Sequence, residues 1–253
     1  MVKHIHQIFG FWDNFESLED NQCFCENSRS TSTFCSLNGW NYTLWSLDMA
    51  NKFITEQYPE FQKLWDEFNY PILKCDFIRY LIIYHFGGIY LDLDVKIIRD
   101  PNELFIDKQF FSTWFDDPKK LPYNACMGSN SVKNTLFLAI ARESQESWYL
   151  NIQKPVYHPY EKGTDKKGWS GRFIFQTTGH YMVQRVLKRY GIVPRNDILA
   201  VNWSTKTKPA ELKRLEKVGK GMMIQGDNPF FEDFNMSLWW NDLKSNKGDM
   251  WKW

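Results

Sequence analysis

Long apolar runs are missing from this chain. No stretch approaches the roughly 18 consecutive apolar residues of a membrane span, and the longest candidate, Tyr80 to Leu91, is interrupted by Gly87-Gly88. The opening MVKHIHQIFGFW breaks its apolar residues with Lys3, His4, His6 and Gln7, so it does not read as a secretory signal. A cytoplasmic location without a membrane span is the expectation. An excess of one charge is missing too, with 31 Lys and Arg against 30 Asp and Glu, which argues against a nucleic-acid partner gripped through its phosphates. Cysteine is sparse and odd in number, five in 253 residues. Cys23, Cys25 and Cys35 share a polar segment, but C-x-C lacks the spacing of a zinc site and no fourth ligand stands nearby. They read as free thiols of a reducing compartment.

What remains is the composition of a globular protein, 43% hydrophobic and 24% charged, long enough for one sizeable core. A single domain over residues 1–253 is expected. Aromatics reach 17%, with twelve tryptophans; core packing explains most of them, and flat aromatic faces also suit sugars.

The stretch Lys74 to Val95, KCDFIRYLIIYHFGGIYLDLDV, organises the rest. Phe77, Ile78, Leu81, Ile82 and Phe86 recur at helical spacing from Cys75 to Phe86. Gly87-Gly88 then supplies the left-handed backbone that ends a helix. Beyond it the period becomes two, with Ile89, Leu91, Leu93 and Val95 facing one way and Tyr90, Asp92, Asp94 and Lys96 the other. A strand is expected through Val95, with two carboxylates on one face. Like charges so placed repel, and a divalent cation relieves them; oxygen ligands suit Mn²⁺ or Mg²⁺, ions that share their sites with phosphates. An acidic pair on a solvated strand has the same pattern.

Asp76, Arg79, Tyr80, Gly87, Gly88, Tyr90, Asp92 and Asp94 fall within one 19-residue window. Together they resemble the signature of the DXD sugar transferases, glycosyltransferase family 32, and of the related clostridial glucosylating toxins. Other segments agree with that resemblance. IHQIFG resembles the family's opening strand, with Phe9 in the place of an aromatic that stacks on the nucleotide base; a core role is the alternative. Asn124, in YNACMG, matches an asparagine that approaches the donor sugar, although a turn uses asparagine as readily. Thr178-Gly179-His180 stands where the family has T-G-P. His180 reads as a helix-start histidine or a base. Asn235-Met236-Ser237-Leu238-Trp239 resembles the segment that closes the site, where the family expectation is that Ser237 and Asn235 reach the metal and Trp239 donates its indole N–H to the diphosphate. The family's usual upstream histidine is absent; Asp233 and Phe234 stand there.

The resemblance implies an α/β fold of the GT-A type, a central, mostly parallel sheet flanked by helices. It implies a retaining, metal-dependent hexosyl or N-acetylhexosaminyl transfer, as in polysaccharide biosynthesis. The donor is a nucleotide sugar, UDP-linked by preference or GDP-mannose, and the acceptor a glycan or other hydroxyl. Asp94 and Asp92 hold Mn²⁺ or Mg²⁺ in that picture, and Phe9, Asp76, Arg79, Tyr80, Asn124 and Asp92 line the donor site. Asp92, Asp94 and Trp239 carry the catalytic weight. A phosphatase of the haloacid-dehalogenase type also ends an apolar strand in D-x-D, but it continues with Thr or Val where this chain has Lys96. A carbohydrate-binding module would use the aromatics without needing Ser237 and Trp239.

Elsewhere, a strand over Asn41–Trp45 leads into a helix stopped by Pro59, and a short helix follows over Glu60–Phe68. Residues 13–36, rich in Ser, Thr, Asn and acids, read as a loop. A strand is expected at Phe110–Phe115 and a helix over Asn134–Tyr149. Residues 151–172 read as an acceptor loop or lid, in which Lys162, Lys166 and Lys167 face a phosphate or only solvent.

Overall fold

The computed structural model describes residues 2–11, 17–68, 70–102, 110–115, 122–153 and 173–191, together with the short strands 202–203, 222–223 and 231–233. The chain opens with strand β1 (His4–Ile8), helix α1 (Gln22–Asn38), β2 (Asn41–Trp45), α2 (Leu47–Gln57), α3 (Gln62–Glu67) and α4 (Pro71–Phe86). There follow β3 (Gly88–Leu91), β4 (Val95–Ile97), β5 (Phe110–Phe115), β6 (Pro122–Ser129), α5 (Thr135–Gln153) and α6 (His180–Arg189). Three short strands complete it: β7 (Asn202–Trp203), β8 (Met222–Met223) and β9 (Phe231–Asp233).

The main sheet has the order β2-β1-β3-β6-β5-β7. The pairs β1–β2, β1–β3 and β5–β7 are parallel, and β6 runs against both of its neighbours. The sheet is thus mixed but mainly parallel. A second sheet joins β4, β9 and β8, antiparallel throughout. Helices cover both faces of the main sheet. One face carries the larger apolar cluster, with Ile8, Tyr90 and Met127 from the strands against Phe77, Ile78 and Leu81 of α4, Phe137 of α5 and Val183 of α6. On the other, Ile5, Ile89, Leu91 and Cys126 meet Cys35 of α1 and Trp40. This is the α/β architecture of the GT-A type that the sequence led us to expect.

Three local expectations are corrected. Residues 22–38 form a helix of 17 residues rather than a loop. Asn21 caps its start by accepting the Phe24 N–H, and Gly39 ends it at φ 66°. Its buried residues are Cys25, Asn27, Ser28, Thr31 and Cys35. That spacing is helical but the residues are small and polar, so no apolar stripe announced it. Helix α4 starts at Pro71, which suits a first helical turn because its missing N–H would have no partner there. It is buried on every side from Cys75 to Ile83 rather than along one stripe.

The third correction concerns the acidic strand. It ends at Leu91, and Asp92 to Val95 make a turn closed by the Val95 N–H to the Asp92 carbonyl at 3.0 Å. The alternation of burial survives the turn: Leu91, Leu93 and Val95 are buried, whereas Asp92, Asp94 and Lys96 are half-buried. Gly88 is needed one strand-length upstream. At φ 79°, it lies so close to β1 that a Cβ there would run into the His4 carbonyl oxygen. Among the described residues, no helix is long and apolar enough to cross a membrane.

Candidate functional site

The carboxyl ends of the parallel strands β1 and β3 face the middle of α4, the part of an open α/β sheet where ligands usually bind. Buried Arg79 of α4 is the hub. Its Nη2 lies 3.0 Å from Asp76 Oδ1, and its Nη1 lies 3.1 Å from Asp92 Oδ1. It also donates to the Asn124 carbonyl at 2.9 Å and to the Cys75 carbonyl at 3.1 Å. The guanidinium lies over the Tyr90 ring, 4.5 Å from its centroid. A planar fork can serve all of these at once, and an ammonium cannot.

Asp76 is buried beneath this hub. Asn124 donates to its Oδ1 at 2.9 Å and Thr178 to its Oδ2 at 3.0 Å. Burial outweighs the attraction of Arg79 and lifts the Asp76 carboxyl to about 6. Tyr80 joins from the next position of the helix; its hydroxyl donates to the Thr178 carbonyl at 2.6 Å and accepts from Asn124 at 3.1 Å.

Asp92 stands at the lip of the cluster. Its Oδ1 accepts the Tyr90 hydroxyl at 2.6 Å as well as Arg79. Burial pushes its carboxyl up and Arg79 and Tyr90 pull it down. The side chain is 31% exposed, far more than the 3% of Arg79, so water reaches it in part.

The structure therefore brings together Asp76, Arg79, Tyr80, Asp92 and Asn124, and Asp94 follows Asp92 within the same turn. Asp76 and Arg79, three residues apart on α4, form one side of a buried network. Phe9 lies just beyond β1, half-buried, with its N–H on the Trp45 carbonyl at 2.9 Å. His180 opens α6, buried, with its ring 4.2 Å from Phe175 and 4.6 Å from Tyr181. Burial holds its imidazole neutral down to about 4. Asn235, Ser237, Trp239 and most of the 151–172 segment lie outside the described residues.

Residues not singled out from sequence also converge here. Gln7 donates to the Asp92 carbonyl at 3.3 Å, and Asn27 of α1 donates to the Leu93 carbonyl at 3.0 Å. Gln7 was readable only as part of IHQIFG. Asn27 carried no signal at all, because its helix was itself read as loop.

Whether a divalent cation fits can be asked of the donors. Among the described residues no group of three or more His, Cys, Asp or Glu is placed to hold a metal ion. Cys23, Cys25 and Cys35 are free thiols, as are Cys75 and Cys126. What the site does offer is hard oxygen, from two carboxylates separated by one residue, Leu93, on a turn. Two such ligands with phosphate oxygens completing the shell is the usual Mg²⁺ or Mn²⁺ arrangement, so the donor chemistry fits.

Residues 24–111 match the family described as glycosyltransferase sugar-binding region containing DXD motif. The mannosyl phosphorylinositol ceramide synthase SUR1 of Saccharomyces cerevisiae is 47% identical over 173 residues, 52% of this chain and 43% of its own length. The inositol phosphoceramide mannosyltransferase 1 of Schizosaccharomyces pombe is 32% identical over 97 residues, 34% of this chain and 30% of its own. The matches thus span less than half of either fungal enzyme. Among solved structures, the PaToxG glycosyltransferase aligns over 87% of this chain and 76% of its own, with 15% identity and a TM-score of 0.48. Residues 24–111 thus carry a DXD-motif glycosyltransferase sugar-binding region, and the chain is similar over part of its length to the fungal mannosyltransferases.

Proposed function

We propose that the chain transfers a hexose from a nucleotide sugar to a hydroxyl acceptor with retention of configuration, using a divalent cation at Asp92 and Asp94. The observation that carries this reading is the Asp76–Arg79–Asp92 network: a buried cation joining two carboxylates, one sealed and one at the lip of the site. Asp76, whose two oxygens are held by Asn124 and Thr178, is the residue that the family likeness assigns to the donor-sugar hydroxyls. Arg79 holds Asp92 at the lip, and Asp94 stands beside it. Mn²⁺, with Mg²⁺ as the alternative, would be held by Asp94 and Asp92 with Ser237 and Asn235, and would supply Lewis-acid stabilisation to the departing diphosphate. In the transfer, the anomeric C–O bond breaks toward the diphosphate. The acceptor oxygen bonds to the same face of the sugar and its proton passes to the leaving phosphate oxygen. Trp239 donates its N–H to that phosphate as charge develops there.

The pairing of β9 with β4 favours the role given to Ser237 and Trp239. Asp233 is level with Val95, the residue after Asp94. Ser237 follows four residues later, a span of at most about 14 Å of extended chain. Phe9 takes the base. The named reactions of the two fungal relatives put mannose first as the sugar, ahead of the UDP-linked hexoses favoured by family likeness alone, and put inositol phosphoceramide forward as an acceptor.

The test is donor hydrolysis with GDP-mannose, UDP-glucose, UDP-galactose and UDP-N-acetylglucosamine, with and without Mn²⁺. GDP-mannose turnover that depends on Mn²⁺ is expected. Trp239→Phe keeps the ring and loses the N–H, and it should slow hydrolysis by about tenfold to a thousandfold with an unchanged melting curve. Hydrolysis of none of the four donors, with the protein folded, would overturn the reading.

A further inference from the structure

The turn that carries the two acidic residues is short, polar and held from outside itself. The Asp92 N–H donates to the Ala125 carbonyl at 2.8 Å, and its carbonyl accepts the Val95 N–H at 3.0 Å. Those bonds would suffice for a turn. Two side-chain amides are added: Gln7 Nε2 to the Asp92 carbonyl at 3.3 Å and Asn27 Nδ2 to the Leu93 carbonyl at 3.0 Å. Gln7 is wholly buried and Asn27 is 4% exposed. The Gln7 amide is itself oriented. The Tyr42 hydroxyl donates to its Oε1 at 2.9 Å, which turns Nε2 toward the turn, and Ser28 meets that hydroxyl at 2.7 Å. Ser28 and Asn27 are neighbours on α1, so one helix reaches the turn twice, once directly and once through Tyr42 and Gln7.

We infer that Asn27 and Gln7, oriented through Tyr42 and Ser28, are positioning residues that set the spacing of the Asp92 and Asp94 carboxylates for a divalent cation. The inference rests on the cation-binding reading above and adds to it the groups that aim the ligands. A carboxylate's direction follows from its backbone. Holding the carbonyls at Asp92 and Leu93 fixes the peptide planes on both sides of Leu93, and hence the directions in which the two acidic side chains leave the chain. Partners behind metal ligands typically change affinity by about 10- to 100-fold when removed. The oxygen atoms that these amides serve are backbone carbonyls, so the loss cannot be recovered by a change of rotamer at the ligands.

The experiment measures Mn²⁺ binding by loss of the free-ion paramagnetic resonance signal, together with hydrogen exchange of a peptide covering residues 88–97. Both are read on wild type, Asp94→Asn, Asn27→Leu and Tyr42→Phe. Wild type should bind Mn²⁺, and Asp94→Asn should not. Asn27→Leu should weaken binding by about tenfold or more and speed exchange in that peptide, with unfolding still cooperative. Tyr42→Phe keeps the ring and its packing; it should give a smaller loss in the same direction and covers the case in which Asn27→Leu fails to fold. A role only in satisfying buried carbonyls would lower the melting temperature and leave the affinity of the folded protein alone. Unchanged Mn²⁺ affinity in whichever of the two variants folds overturns the positioning role while the cation site stands. Wild type that takes up no Mn²⁺ overturns the cation site, and the positioning role with it.

Discussion

The two ends of β3 both bury polar groups, and they do so in opposite ways. At the start, His6 is sealed. Trp45 donates to its Nδ1 at 3.3 Å, so its Nε2 carries the proton and donates to the Gly87 carbonyl at 3.1 Å. Burial, and then His4 beside it, hold its imidazole neutral far below the ordinary histidine range. Every polar atom of that ring is spent on the fold, and no charge is present. At the other end Arg79 is equally buried but fully charged, and the acceptor it holds, Asp92, is 31% exposed. A closed neutral cluster locks a corner; a charged cluster with one member at the lip has a group left for a ligand. Burial of polar groups alone therefore does not mark a site. The marker is burial with an exposed, charged end.

Four variants test that contrast, in descending order of expected effect. Arg79→Ala leaves Asp76 as an unpaired buried carboxylate, and should cost about 3–5 kcal/mol of stability and abolish donor turnover. Urea unfolding beside a hydrolysis assay measures both. Wild-type turnover in that variant would make the Arg79 cluster as purely structural as the His6 corner. Asp94→Asn should leave unfolding unchanged and lower Mn²⁺-dependent turnover by about a hundredfold or more, roughly 3 kcal/mol on the barrier. A loss of stability there, with turnover kept, would move Asp94 to the structural side.

His6→Ala comes third. It leaves the Gly87 carbonyl and the Trp45 N–H without their partners, which should cost about 2–3 kcal/mol. The Mn²⁺ requirement and donor preference of the protein that remains folded should be those of wild type. A changed metal requirement would show that the two ends of β3 are coupled. The smallest effect is one of pH. The Asp76 carboxyl is raised in the folded protein, from 3.8 to about 6, by burial. The folded state therefore binds the proton more tightly than the unfolded chain, and this group's contribution to stability is present below about 4 and lost as pH rises through about 6. Going from pH 4.5 to 7, wild type should lose stability relative to Asp76→Asn, as melting curves at each pH would record. Parallel pH profiles would mean that Arg79 overcomes the burial.

Much of this was legible in the order of residues because the signals were local. The glycine pair, the period-two alternation around Asp92, the strand at Asn41–Trp45 with the helix that Pro59 stops, and the strand at Phe110–Phe115 depend on backbone preferences within a few residues. Helix α1 escaped because its buried residues are Cys25, Asn27, Ser28, Thr31 and Cys35, and whether such residues are buried depends on what packs on them. The break after Leu91 escaped for the opposite reason: alternation of side chains is kept through the turn, so the pattern reads as one strand.

The sequence by itself determined which residues carry charge near the site, that Gly87 and Gly88 stand between a helix and a strand, and that two acids share a side. Each follows from residue type and spacing alone. Only the tertiary structure decided what those acids mean. Asp76 and Arg79 are three residues apart in a helix, a spacing that on a surface is worth a few tenths of a kcal/mol. Asp92 is 13 residues further on, Asn124 is 45 residues from Arg79 and Thr178 is 102 from Asp76. Bringing them together takes the sheet, which sets β3 beside β6, and the packing of α6 on β6 and α5. The charges become strong because the fold removes water from around all but one of them, and no spacing along the chain records how much water will remain.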